Sequence, residues 1–144
     1  MQAAALLDYL APAVMGLVFI VAMSRVPERV RLPLNAAAVI GASGVYMSGG
    51  FGLWEVAYAM LTGPVLGYWT LRSYYVIGVC WLLHATWDCL HHLYGHPIWP
   101  FMESSSLGCL IFDTVIGVWF LCGARSVLAP VQRAPAALAG VPRP

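Results

Sequence analysis

Hydrophobic positions along this chain gather into five long runs separated by short polar breaks. They cover about Leu6–Ser24, Leu34–Gly50, Leu53–Leu71, Ser73–Tyr94 and Ser105–Ala124. A helix needs roughly 20 mostly apolar residues to cross a bilayer, with about 17 to 25 tolerated. The pattern therefore predicts an all-α fold, a polytopic membrane helix bundle of about five transmembrane helices. The second run is the weakest, because "LNAAAVIGASGVYMSGG" is short and glycine-rich. It reads either as a span packed closely through Gly41 and Gly44 or as a re-entrant segment.

Basic residues set the direction. The chain has no lysine, and its seven basic residues are all arginines. With five spans, Arg25, Arg29, Arg31, Arg72, Arg125, Arg133 and Arg143 fall on one side. The positive-inside rule makes that side cytoplasmic, with the N-terminus outside and the C-terminus inside. Four spans would move Arg72 to the opposite side. Tyr68, Trp69, Tyr74 and Tyr75 then lie at the inner interface, and Tyr9, Trp54, Tyr94 and Trp99 at the outer one. The N-terminus lacks the basic n-region and small-residue cleavage site of a signal peptide, so the first run is expected to stay as a membrane helix. The expected location is the cell (inner) membrane. Residues 1–125 form the transmembrane unit, and the proline- and alanine-rich stretch 126–144 is expected to be a disordered cytoplasmic tail.

Composition narrows the classes. Only 9% of residues are charged, against about 25% in soluble domains, and the mean hydropathy is +0.80. The net charge of +1 is uninformative about nucleic acid, but the chain has no basic stripe to bind it, so no nucleic-acid partner is expected. Cys80, Cys89, Cys109 and Cys122 stand singly without CxxC spacing, and read as apolar filler.

Against this background "HATWDCLHHLYGH", residues 84–96, holds all four histidines of the chain and an aspartate. At about 100° per residue, His84, Asp88, His91 and His92 share one helix face no wider than about a quarter-turn. That face must point into the bundle, because ionisable groups facing lipid cost several kcal/mol. With a rise of about 1.5 Å per residue, Asp88 lies roughly 9 Å and His84 roughly 15 Å below Tyr94. Asp113 reaches a matching depth on the fifth run, and Glu55 lies near the outer interface on the third. Imidazole and carboxylate at i, i+4 and i+7 can converge on one cation, and mixed nitrogen and oxygen ligands suit zinc, iron or copper. His84, Asp88, His91 and His92 are the candidate metal ligands, with Glu55 and Asp113 completing the site or acting as catalytic base. A metal-free acid/base site and plain polar packing are the other readings. His96, before Pro97, belongs to the outer loop "YGHPIWPFMESSS", expected to be an ordered cap, and Ser104–Ser106 to an N-cap region. Asp8 is expected to be solvated.

The stretches "SGGFGLWE", "WLLHATWDCLHHLYGHPIWP" and "SSSLGCLIFD" together resemble a family of small bacterial integral membrane proteins of unknown function. The resemblance spans nearly the whole chain except the tail. It implies a compact helical membrane domain and brings no activity. Asp88-x3-His92 is also similar to the start of the copper site in the third subunit of membrane methane and ammonia monooxygenases, but the later histidine of that pattern falls on "SSS" here. The expected function is an integral-membrane, metal-dependent enzyme acting on a lipid-soluble small substrate by hydrolysis or oxidation. The alternative is a proton- or ion-coupled transporter or a ligand-binding subunit. The bilayer and a hydrophobic substrate are the expected partners, and the oligomeric state is open.

Overall fold

The computed structural model describes residues 2–45 and 50–128. Among these the chain is all-α and contains no strand. Its helices are α1 (Gln2–Arg25), α2 (Glu28–Ala42), α3 (Leu53–Met60), α4 (Leu66–Thr70), α5 (Tyr74–Tyr94) and α6 (Ser105–Leu121). A π-helical turn, Leu61–Val65, joins α3 to α4 without a break, so the two form one rod. Pro64 lies in that turn. Proline has no N–H to donate and crowds the carbonyl one turn back, and a widened turn accommodates both.

α5 and α6 form an antiparallel hairpin with the closest packing in the molecule. Glycines make it possible. A Cβ at Gly78 would stand 2.7 Å from the Leu121 nitrogen and 2.8 Å from the Gly117 oxygen, so the two backbones nearly touch. α1 lies against the other side of α6, with Gly16 on Val115 and Phe19 edge-on to Phe112. α2 packs on α4 and α5, where Gly67 admits Ile40. The apolar core sits at the end of this arrangement where α5 begins and α6 ends, and includes Ile77, Cys80, Ile116 and Phe120. α4 approaches α5 closely there, whereas α3 stands further off. Large side chains fill that outer gap.

Most helix bounds agree with the hydrophobic pattern, and α2 is the exception. The expected run Leu34–Gly50 is replaced by a helix that starts at Glu28 and ends at Ala42. Pro27 supplies the start, its carbonyl accepting the N–H groups of Val30 and Arg31. Fifteen residues give about 22 Å of helix, less than a hydrocarbon core of about 30 Å. Arg31, expected in a loop, is buried on α2, bonded to Glu28 and to the Tyr74 hydroxyl. Among the described residues, one helix is long and apolar enough to cross a membrane, the segment Leu6–Arg25 of α1.

The outer cap is ordered. Ser105 Oγ accepts the Trp99 N–H at 3.0 Å, and Ser106 Oγ accepts that of Ile98 at 3.3 Å. Ser104 occupies the N-cap position, yet its hydroxyl makes no cap bond and instead donates to Asp8, at 3.4 Å. Asp8 is thus exposed, as expected, but held by a neighbour. His96 lies over Gly50. At the inner end Ser126 and Val127 bond to Ser24, the first residues of the stretch expected as a tail. Residues 129–144 lie outside the described residues. All four cysteines are free thiols.

Candidate functional site

One stripe of α5, Ile77–Trp81–His84–Asp88–His91, is buried along its whole length. Its spacing of three and four keeps it on one face. The stripe is apolar where it meets the inner core and ionisable beyond it. Asp113 faces it from α6 and Glu55 from the rod's outer segment, α3. His84, Asp88, His91, Glu55 and Asp113 are all at most 5% exposed.

These groups form two tiers. In the deeper one His84 Nε2 lies 3.8 Å from Asp88 Oδ1 and 3.9 Å from Asp113 Oδ2. One ligand atom from each of the three residues falls within 4.8 Å of the others. Tyr58 contacts the far side of the imidazole, its hydroxyl 3.1 Å from His84 Nδ1. That contact occupies Nδ1 and leaves Nε2 facing the acids. In the upper tier His91 Nε2 lies 3.2 Å from Glu55 Oε1. Glu55 also accepts the Phe51 N–H at 3.1 Å and the Trp87 indole N–H at 3.2 Å. Trp87 links the tiers: it stacks on Tyr58 with ring centroids 4.5 Å apart and meets His91 edge-on.

A family model described as a family of unknown function, DUF6010, matches residues 7–126. The chain belongs to the DUF6010 family. No curated protein and no solved structure matches it. The resemblance seen in "WLLHATWDCLHHLYGHPIWP" and its companion stretches thus holds at the level of the family.

In this DUF6010 member the expected site residues separate. His84, Asp88 and Asp113 come together, so Asp113, expected as catalytic base or completing group, stands among the candidate ligands. His91 turns to Glu55 in the tier above, and that pair holds its own hydrogen-bond network. His92 is exposed, at the edge of the stripe, and does not join either tier. Tyr58 was not expected. Its signal was present in the sequence, because Glu55, Tyr58 and Thr62 follow each other at three and four residues and mark a polar face on the rod.

Two carboxyl groups and an imidazole, shut away from water, call for a compensating charge or a shared proton. His84 stands 3.8 and 3.9 Å from the two acids, beyond hydrogen-bond length, while Asp113 lies within side-chain hydrogen-bonding reach of Asp88. Neighbouring ligands on a tetrahedral ion with bonds of 2.0–2.1 Å stand about 3.4 Å apart. The two His84 separations exceed that spacing by about half an ångström.

Proposed function

We propose that this protein is a polytopic membrane protein of the cell membrane, its N-terminus outside. In this reading it is a metal-dependent enzyme that acts on a lipid-soluble small molecule at the His84–Asp88–Asp113 site. The single observation that carries the metal reading is the convergence of these three buried ligands from two helices. Zinc, iron and copper all suit the donors. A metal so held would supply a polarised water for hydrolysis or a centre for oxidation.

Polarity supports the membrane reading. In a water-soluble fold the charged groups lie outside, whereas here Glu55, Asp88 and Asp113 are inside. Large apolar residues such as Leu7, Leu17, Leu53, Met60, Leu93 and Val118 are exposed. Only 11% of the apolar window of α1 is buried in the bundle, which supports a helix that faces lipid. Lipid is the environment that stabilises such a surface.

Transport is the less favoured function. Beneath the deeper tier, Ile77, Ile116 and Phe120 are fully buried and close the bundle with apolar groups. An ion or proton path would need polar partners there. The arrangement suits a closed site better than a route through the bundle.

Elemental analysis of detergent-purified protein tests the reading. Near one equivalent of metal is expected in the wild type, lost in both His84→Ala and Asp113→Ala. A metal-free wild type that takes up none on reconstitution would leave a metal-free acid/base pair as the account of the cluster.

Tyr58→Phe should weaken metal binding without removing it. The variant keeps the stack on Trp87 and loses only the hydroxyl that orients His84. Second-shell partners of metal-bound histidines are worth about 10- to 100-fold in affinity. Competition with a chromophoric chelator reads the change, and an unaltered dissociation constant would show that Tyr58 does not orient this imidazole.

A further inference from the structure

We propose that the groove between α1 and α6 holds the alkyl chain of a single-chain membrane amphiphile with an uncharged or cationic head. The inference names the substrate class of the site proposed above and rests on that reading.

The groove has a volume of about 710 Å³, with Leu7, Ala11 and Met15 on one wall and Gly108, Cys109 and Phe112 on the other. Trp99 and Met102 of the outer loop roof it. This volume is in the range of small-molecule sites, roughly 300–1,000 Å³.

Gly108 leaves the α6 wall of the groove without a side chain. Glycine is the poorest helix former after proline, so it weakens the helix unless something requires it. At Gly16, Gly78 and Gly117 the requirement is visible, since a neighbouring helix presses to within 3.0 Å of where a Cβ would stand. At Gly108 nothing lies within 4 Å of that point. This glycine, in the first turn of α6, lines the groove, and no neighbouring side chain or backbone packs on it.

The groove adjoins the deeper tier. Cys109 lines it one helical turn from Asp113, and lies within electrostatic reach of both Asp88 and Asp113. A chain seated in the groove is therefore separated from the acids by one turn of α6.

Charge selects the head. Asp8 and Ser104, hydrogen-bonded to each other, line the groove beside the roof. Among the described residues no arginine lines this groove, and Arg25 lies at the far end of α1. A carboxylate or phosphate head would meet Asp8 unscreened by any cation. An amine or hydroxyl can take the Asp8 carboxylate as hydrogen-bond acceptor.

The test uses two photoactivatable, alkyne-tagged probes, a long-chain alkylamine and the matching fatty acid, on the full-length protein in lipid nanodiscs. Cross-linked peptides are mapped, and metal is measured in the same samples. The amine should label the peptides containing Leu7–Met15 and Met102–Phe112, and the acid should label them several-fold less. Gly108→Trp and Ala11→Trp, which fill the groove from opposite walls, should each reduce that labelling several-fold with metal content unchanged. If Gly108→Trp does not fold, Ala11→Trp decides alone. Labelling that both variants leave unchanged, or that spreads equally over the outer faces of α3 and α5, overturns the groove. Equal labelling by the acid overturns the head-group assignment. A wild type that labels in the groove but holds no metal retains the groove and removes the metal reading.

Discussion

On the metal reading, Asp88→Asn should make the thermal stability of the protein insensitive to chelators, whereas the wild type should melt at a lower temperature when treated with one. A ligand bound only to the folded state stabilises it by RT ln(1 + [L]/Kd), about 4 kcal/mol at a thousandfold excess over Kd. For a chain of this size that corresponds to a shift on the order of 10 °C. Asparagine fills the same space, so packing against α6 is retained, but it contributes no negative charge and is a poor metal ligand. The sign in the stripped state runs the other way. Removing one of two neighbouring buried carboxyl groups relieves their repulsion, so stripped Asp88→Asn melts no lower than stripped wild type. Melting curves of both proteins with and without chelator give all four values. If chelation lowers both proteins equally, the metal is bound elsewhere.

Gly78→Val prevents the hairpin of α5 and α6 from closing, and with it the site. The atoms a Cβ would meet are the Leu121 nitrogen and the Gly117 oxygen, both backbone, together with the Leu121 side chain at 2.9 Å. A side chain can rotate away, but backbone can yield only if the helices separate. Overpacking in a well-packed core costs about 1–3 kcal/mol where neighbours can shift, and a branched side chain wedged between two helices exceeds that range. Asp113 reaches His84 only because these helices touch. The expected outcome is loss of the monodisperse peak in size-exclusion chromatography, or a folded remnant that binds no metal. A variant that elutes and binds metal like the wild type would mean that the two helices are not held at this contact.

Much of this architecture was legible in the hydrophobic pattern, for a physical reason. α5 and α6 are long apolar runs bounded by Ser73, Gly95 and Ser104, so composition changes sharply at their ends. α2 was misplaced because polarity and helicity part company there. Its first two turns carry Glu28, Arg29, Arg31 and Pro33, which read as a loop, yet Pro27 starts the helix and Arg31 is buried among aromatic rings, lying over those of Tyr74 and Trp119. In the site, the spacing of His84, Asp88 and His91 identified the face correctly. It did not reveal that Glu55 takes His91 away from the other two, because which acid meets which histidine depends on how far α3 stands from α5. His92 was included on angle alone, and the edge of the stripe is exposed. Tyr58 was overlooked because a tyrosine in an apolar run reads as an interface residue until its partner is known.

The π-helical turn has a consequence of its own. Entering it, the inward positions of the rod are Glu55 and Tyr58, then Thr62 within the turn; the series resumes at Gly63, also within the turn, and runs on to Gly67 and Thr70. Each series keeps the helical rhythm, but the second starts one place late, like two gears meshed with one tooth skipped. That extra residue lets the upper part of the rod be aimed at the acids while the lower part is seated on α2. Deleting one amino acid between Leu61 and Val65 would therefore turn Glu55 and Tyr58 by about 100° relative to the lower part. The same rod could then keep its seat and lose its aim. Lengths of chain, and not only side chains, are in this sense part of what tunes the site.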